Sequence, residues 1–273
     1  MGVFDIQRSI RRGKMNQKKY NNIIFQREGE TAFLTINRPP VNILDIATME
    51  EMNDALDTLI GNTELKVLVI SGTGEKAFSA GVDVSDHTED KVDTMLQVFH
   101  DIFRKMSQLD QVTVAAIKGL TLGGGCEVAI FCDTIIAAEN AKIGQPEIKL
   151  AVFPPIALLV LPRLVGLKKA SELLLSGKII DAKEAERIGL VNKVVPLESF
   201  ESDVKDFIQP FLELSIIGIK YTKKGIKLGL ETHFAEGLEK IEKIYRDELM
   251  ASEDAHEGLT SFLEKRKPVW KNK

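Results

Sequence analysis

Leu122-Gly123-Gly124-Gly125-Cys126-Glu127 and, with its glutamate twenty residues past the first, Gly144-Gln145-Pro146-Glu147 decide how this chain is read. The triple glycine leaves an apolar strand-like run and opens a helix-like one. It therefore brings backbone N–H groups, unshielded by side chains, to a surface. Glu127 falls in the first turn of that helix. Glu147 follows a proline, so it is expected on a loop rather than inside a helix. Two carboxylates beside a set of N–H donors are what acid–base chemistry next to an oxyanion requires.

The chain has 273 residues, 44% of them hydrophobic, enough for one large domain or a domain with an appendage. A net charge of −4 makes the whole chain a poor match for nucleic acid or an anionic membrane. Cys126 and Cys132 sit on one predicted helix, point in different directions and cannot bridge, which fits a reducing, cytoplasmic setting. No apolar run approaches the roughly 18 residues of a membrane span, so none is expected. The N-terminal stretch carries Arg8, Arg11, Arg12, Lys14, Lys18 and Lys19 against Asp5, with no continuous apolar segment. A secretory signal is therefore not expected. Residues 1–20 read as a flexible basic arm, with a transit peptide or an arm for an anionic partner as alternatives.

Beyond the arm, strands alternate with helices. Ile23-Ile24-Phe25 and Ala32 to Ile36 read as a hairpin about Gly29. Thr48 to Ile60 and Lys91 to Leu109 carry apolar residues at helical spacing. Val67 to Ile70, Val112 to Ile117, Thr134 to Ala138 and Val191 to Val195 are short apolar runs typical of strands covered on both faces. That alternation predicts an α/β fold with parallel pairing. From about Ser199 only helices are predicted: Phe200 to Phe211, Ile216 to Leu228, Phe234 to Met250 and Ala255 to Lys265. The division is thus a core over 21–198 and a helical region over 199–273.

Several segments, taken in order, carry a resemblance. They are Arg38-Pro39-Pro40-Val41-Asn42-Ile43-Leu44, Ala77-Phe78-Ser79-Ala80-Gly81-Val82-Asp83, the two glutamate segments, and Phe262-Leu263-Glu264-Lys265-Arg266-Lys267. From about Asn21 to the C-terminus the chain resembles the enoyl-CoA hydratase/isomerase (crotonase) superfamily. The resemblance implies a spiral of ββα turns with a C-terminal helical region that builds trimers, often stacked as hexamers. It implies an acyl-CoA thioester as substrate, with coenzyme A part of that substrate and no separate cofactor. Glu127 and Glu147 take the places of the two catalytic glutamates, which in hydratases hold one water and add it across the α,β double bond. Ala80 and Gly124 take the places of the backbone N–H donors to the thioester oxygen, each worth about 3 kcal/mol to an enolate. Val41, Gly81, Val82, Asp83 and Gly123 fall among the expected substrate contacts. Phe262 and Lys265 match C-terminal contacts to coenzyme A that reach a neighbouring subunit's site.

The chain departs from the common pattern after Glu147. Where family hydratases carry a glycine-rich turn, it reads Leu150-Ala151-Val152-Phe153-Pro154-Pro155-Ile156. Phe153 and Pro154 therefore predict a narrower, stiffer acyl pocket. Together with Asp83 to Thr88, this segment looks like that of the cyclohexa-1,5-diene-1-carbonyl-CoA hydratases of anaerobic aromatic degradation. The alternatives are a pocket repacked for another acyl chain, in a straight-chain hydratase or an enoyl-CoA isomerase, or an RNA- or CoA-binding protein on the same fold. The acidic balance weakens an RNA role. His87 is a candidate substrate contact or a turn residue; His100 reads as a helix-surface or core-edge residue. Neither has metal-ligand company, so no metal is expected, and no P-loop or dinucleotide fingerprint occurs.

Overall fold

The computed structural model describes residues 19–273. The expected basic arm lies outside the described residues apart from its end. There the structure corrects its boundary: Tyr20 packs against the core, and its hydroxyl donates to Asp54 at 2.6 Å.

The chain opens with the antiparallel hairpin of β1 (Ile23–Glu28) and β2 (Thr31–Ile36), followed by α1 (Ile46–Asp57). Asp45 caps α1 by accepting from the Thr48 N–H at 2.9 Å, and Arg38 pairs with the same carboxylate. Then the spiral begins. β3 (Val67–Gly72) is followed by β4 (Ala77–Ser79) and α2 (Val92–Met106). β5 (Val112–Ile117) is followed by β6 (Leu120–Leu122) and α3 (Gly124–Phe131). β7 (Thr134–Ala138) is followed by β8 (Lys142–Gly144), α4 (Pro155–Val165) and α5 (Leu167–Ser176). Next come β9 (Ile179–Asp181), α6 (Ala182–Arg187) and β10 (Lys193–Val195). The pairs β3/β4, β5/β6 and β7/β8 each give one strand to a six-stranded sheet, ordered β1-β2-β3-β5-β7-β10, and then one to a four-stranded sheet, ordered β4-β6-β8-β9; in the last turn the order reverses, β9 preceding β10. The expected parallel pairing holds from β2 through β10 in the larger sheet.

Successive side chains of a strand face opposite ways, and the core divides accordingly. Leu68, Ile70, Ala115 and Ile117 point to the interior shared with the small sheet, α1 and α2. Val67, Val69, Val112 and Val114 point to the other face. There α7 (Phe200–Leu212) and α8 (Ile216–Glu231) cover them with Phe200, Val204, Ile208, Ile216 and Ile219. The first helices of the region over 199–273 thus form one wall of the main sheet. The tail continues through α9 (Phe234–Lys243) and ends with α10 (Glu253–Leu263). The single helix expected over 234–250 changes pitch instead, through a π turn at Ile244–Glu248 and a 3₁₀ turn at Leu249–Ala251.

One buried amide ties the first loop to the small sheet. The Asn42 side chain donates to the carbonyls of Thr73 (3.0 Å) and Ala77 (2.8 Å) and accepts from the Arg38 N–H (3.0 Å). Asn42 adopts φ +53°, a region asparagine tolerates better than most residues. Losing such a fully bonded buried group costs about 2–3 kcal/mol. Its work is to hold the start of β4, and so the turn that follows it, in register with the rest of the site.

Candidate active site

Gly123 touches both glutamates, Glu127 through its backbone and Glu147 through its side chain. The carbonyl of Gly123 accepts the Glu127 N–H at 2.9 Å. A β-carbon on Gly123 would lie 2.9 Å from Glu147 Oε1, and its φ of +53° is one that side chains rarely adopt. Glycine is required there on both counts.

Glu127 is buried. Its Oε1 accepts the N–H groups of Ile156 (2.8 Å) and Ala157 (2.9 Å). These are first-turn donors of α4, which the helix itself leaves without partners. Pro155 at the first helical position has no N–H to lose. Burial still dominates, and pushes the Glu127 carboxyl up to about 7 against the pull of those two N–H groups. Burial likewise pushes Glu147 up to about 6. The expectation that Glu147 lies on a plain loop is corrected: it opens a 3₁₀ turn over Glu147–Leu150. That turn is closed by the Val152 N–H donating to the Glu147 carbonyl at 3.3 Å. Behind it sits Gln145, almost fully buried. In the orientation that satisfies its amide, Nε2 lies 3.1 and 3.3 Å from the two Glu147 oxygens and 3.2 Å from the Gly123 carbonyl oxygen.

The N–H donors differ from those expected. Ala80 is not free: its N–H donates to the Val41 carbonyl at 2.9 Å. The next stretch runs parallel to Leu44, which donates to the Gly81 carbonyl (2.9 Å) and accepts the Asp83 N–H (3.0 Å). Val82 lies between those two, so its N–H points the opposite way. Among the described residues neither the Val82 N–H nor the Gly124 N–H has a hydrogen-bond partner. The two groups are adjacent. A β-carbon on Gly124 would fall 2.6 Å from Val82 Cγ2, and one on Gly81 would fall 3.5 Å from the Gly124 nitrogen. Gly124 also opens α3, whose N-terminus favours negative charge. An oxygen placed against this pair would meet two free donors.

The remaining candidates divide. Val41 contributes its carbonyl to Ala80. Asp83 caps the 84–86 turn by accepting the Ser85 N–H at 2.9 Å. His87 is exposed, with Nδ1 3.0 Å from the Asp83 carbonyl oxygen, which is the turn role rather than a pocket role. His100 is half-buried against Phe99 and its pKa is lowered, chiefly by burial. Pro154 is buried, whereas Phe153 is 65% exposed. Phe262 and Lys265 lie at the far end of α10, which packs on α8 and the 249–251 turn. The thiols of Cys126 and Cys132 are free and buried, and Cys132 lies just past the end of α3. Among the described residues no group of three His, Cys, Asp or Glu could hold a metal ion. No helix there is long and apolar enough to cross a membrane.

Sequence reasoning did not assign Gln145, the Val82 N–H or the amides of Ile156 and Ala157. Gln145 was visible in its segment, and the pairing of Leu44 with Val82 would have identified the outward N–H.

The sequence profile of a family described as "Enoyl-CoA hydratase/isomerase" matches residues 26–273. The chain is 35% identical over 252 residues to a short-chain-enoyl-CoA hydratase of Clostridium acetobutylicum, covering 90% of this chain and 96% of that protein. It is 37% identical over 253 residues to a crotonyl-CoA hydratase of Syntrophomonas wolfei, covering 91% and 97%. It is 36% identical over 248 residues to a cyclohexa-1,5-dienecarbonyl-CoA hydratase of Thauera aromatica, covering 91% and 95%. A crystal structure of an enoyl-CoA hydratase from Bacillus anthracis superposes with a TM-score of 0.88 at 32% identity, covering 93% of this chain and all of that one.

The raised carboxyl of Glu127 has a consequence for stability. A folded pKa above the unfolded value of 4.5 contributes stability that is present below 4.5 and lost as pH rises towards about 7. Gln at 127 keeps an oxygen for the two amides but cannot ionise. Urea unfolding should therefore show wild type losing stability between pH 5 and about 8 relative to Glu127→Gln. Parallel pH profiles for the two proteins would contradict the burial argument.

Proposed function

This chain belongs to the enoyl-CoA hydratase/isomerase family, and on that footing we propose how it acts and on what. It is an enoyl-CoA hydratase, a carbon–oxygen lyase, acting on an enoyl-CoA thioester. The observation that carries the mechanism is two desolvated carboxyls set beside two unpartnered N–H groups. The thioester oxygen sits against the N–H groups of Val82 and Gly124, which take up the negative charge it gains as the β-carbon is attacked. A water lies between Glu127 and Glu147. One carboxylate removes a proton from that water as its oxygen bonds to the β-carbon. The other group, in its acid form, delivers a proton to the α-carbon. Carboxyls raised to between about 6 and 7 are suited to alternate between these duties near neutral pH. Gln145 fixes the orientation of Glu147.

The acyl group we assign is a cyclic dienoyl group, cyclohexa-1,5-diene-1-carbonyl, of the kind formed in anaerobic degradation of aromatic acids. The relatives do not choose, since hydratases named for short-chain and for cyclic substrates stand at similar identity. Support comes from residues 150–155, where Leu150, Val152 and Phe153 present apolar surface and two prolines stiffen the wall. Fixed φ lowers the entropy lost when a wall orders around a flat ring. A straight-chain substrate is the alternative. The place of action we assign is the cytoplasm, and the assembly a trimer or a pair of trimers. Support for the assembly comes from the tail, where Ile226, Leu230, Phe234, Tyr245 and Leu263 are exposed apolar side chains that a neighbouring subunit would cover.

Three outcomes are expected. Glu127→Gln and Glu147→Gln should each bind the CoA thioester while turnover falls by about two to four orders of magnitude. Hydration near the wild-type rate by either variant would remove the dyad assignment. kcat/KM should be higher for the cyclic dienoyl-CoA than for crotonyl-CoA, and Pro154→Gly with Pro155→Gly should narrow the gap by losing the ring. Efficient use of crotonyl-CoA with no activity on the ring would leave a straight-chain hydratase. Light scattering should give three chains or six; a single chain at micromolar concentration would rule out the assembly.

A further inference from the structure

The end of α10 is built at a conformational cost. Lys265 sits at φ +55°, immediately past the helix. Its N–H donates to the Phe262 carbonyl (3.2 Å), and the Arg266 N–H donates to the Ser261 carbonyl (3.0 Å). This paired ending places its left-handed residue where glycine is usual, and a side chain there costs about 1 kcal/mol. Something must hold Lys265 in that turn.

Arg266 does so. Its Nη1 and Nη2 grip both oxygens of Glu257 at 2.6 and 2.9 Å, and its Nε reaches Glu264 at 2.6 Å. Glu257 also accepts the Val269 N–H at 2.7 Å. One carboxylate on α10 thus pins the chain on both sides of Lys267. Trp270 extends the anchor by donating to the Glu213 carbonyl at 2.8 Å. The Glu257–Arg266 pair is partly exposed, and such pairs add little to stability. A planar fork on a carboxylate does fix direction. It also consumes the charge of Arg266. Among the described residues Lys265 has no ion-pair partner, and beside it Phe262 is 81% exposed. A cation without an ion-pair partner among the described residues and a bare aromatic ring, carried on one turn, suit a ligand with a phosphate and a flat base.

We infer that Glu257 and Arg266 are positioning residues whose forked pair holds Lys265 and Phe262 in place for the nucleotide end of the substrate's coenzyme. This rests on the CoA-thioester reading above.

The test compares two esters of whichever acyl group the protein hydrates best: the CoA thioester, and the N-acetylcysteamine thioester, which lacks the nucleotide. Glu257→Gln and Arg266→Gln should raise KM for the CoA ester about five- to tenfold at unchanged kcat, narrowing the preference over the truncated ester. Arg266→Lys, a cation without the fork, should recover only part of that loss. Lys265→Met serves as the reference. If it raises KM for the CoA ester while Glu257→Gln and Arg266→Gln do not, the positioning role is wrong and the CoA reading stands. If Lys265→Met changes nothing although wild type prefers the CoA ester, the nucleotide contact is wrong, and the inference falls with it. An equal loss on both esters in the Glu257 and Arg266 variants would mean general damage and also overturn the inference. A wild type that does not distinguish the two esters would instead count against the CoA-thioester reading itself.

Discussion

Residues 147–157 tie the two acidic groups of this site to each other. The segment begins with Glu147 and ends with the two amides that hold Glu127. A single stretch therefore supplies one carboxyl and fixes the other. Everything around it is arranged so that this can happen at Gly123, where the helix carrying Glu127 and the side chain of Glu147 come within contact distance. Placing two carboxyls in largely desolvated surroundings is unfavourable when both are ionised. The structure meets that cost with a helix N-terminus at Glu127 and a buried amide at Glu147.

The double-sheet spiral makes this possible. Each of the first turns places a three-residue strand in the small sheet and leads from it towards the pocket. β4 leads to the Val82 turn, β6 to the glycines and α3, and β8 to Gln145 and Glu147. The site is thus the rim of the small sheet, read across neighbouring parallel strands. The central strands β3, β5 and β7 of the larger sheet, buried on both faces, supply the rigidity on which sub-ångström placement depends.

Much of this was legible in the sequence. The long amphipathic helix at 92–106 and the apolar runs of β3, β5 and β7 announce themselves by period and composition. The small sheet did not, because three residues carry no measurable alternation. The tail looked like an appendage because α7 reads as an ordinary amphipathic helix; only the structure shows Val67, Val69 and Val114 waiting beneath it. Glu127 and Glu147 were found as residue types in a pattern. The donors were harder, since every residue but proline has an N–H and only pairing decides which is spare. Ala80 was the reasonable expectation from its place in the motif, and the Val41 carbonyl is what overrides it.

The grip on Glu127 is made by main-chain atoms, and this bears on how such a protein can change through descent. Any residue other than proline at 156 and 157 offers the same amides, provided a helix starts at 155. The strap between the acids is therefore free to drift in side-chain identity while its path is retained. Leu150, Val152 and Phe153 can be exchanged generation by generation without disturbing the proton-handling groups. A lineage built this way can explore new acyl groups while its water chemistry is inherited intact.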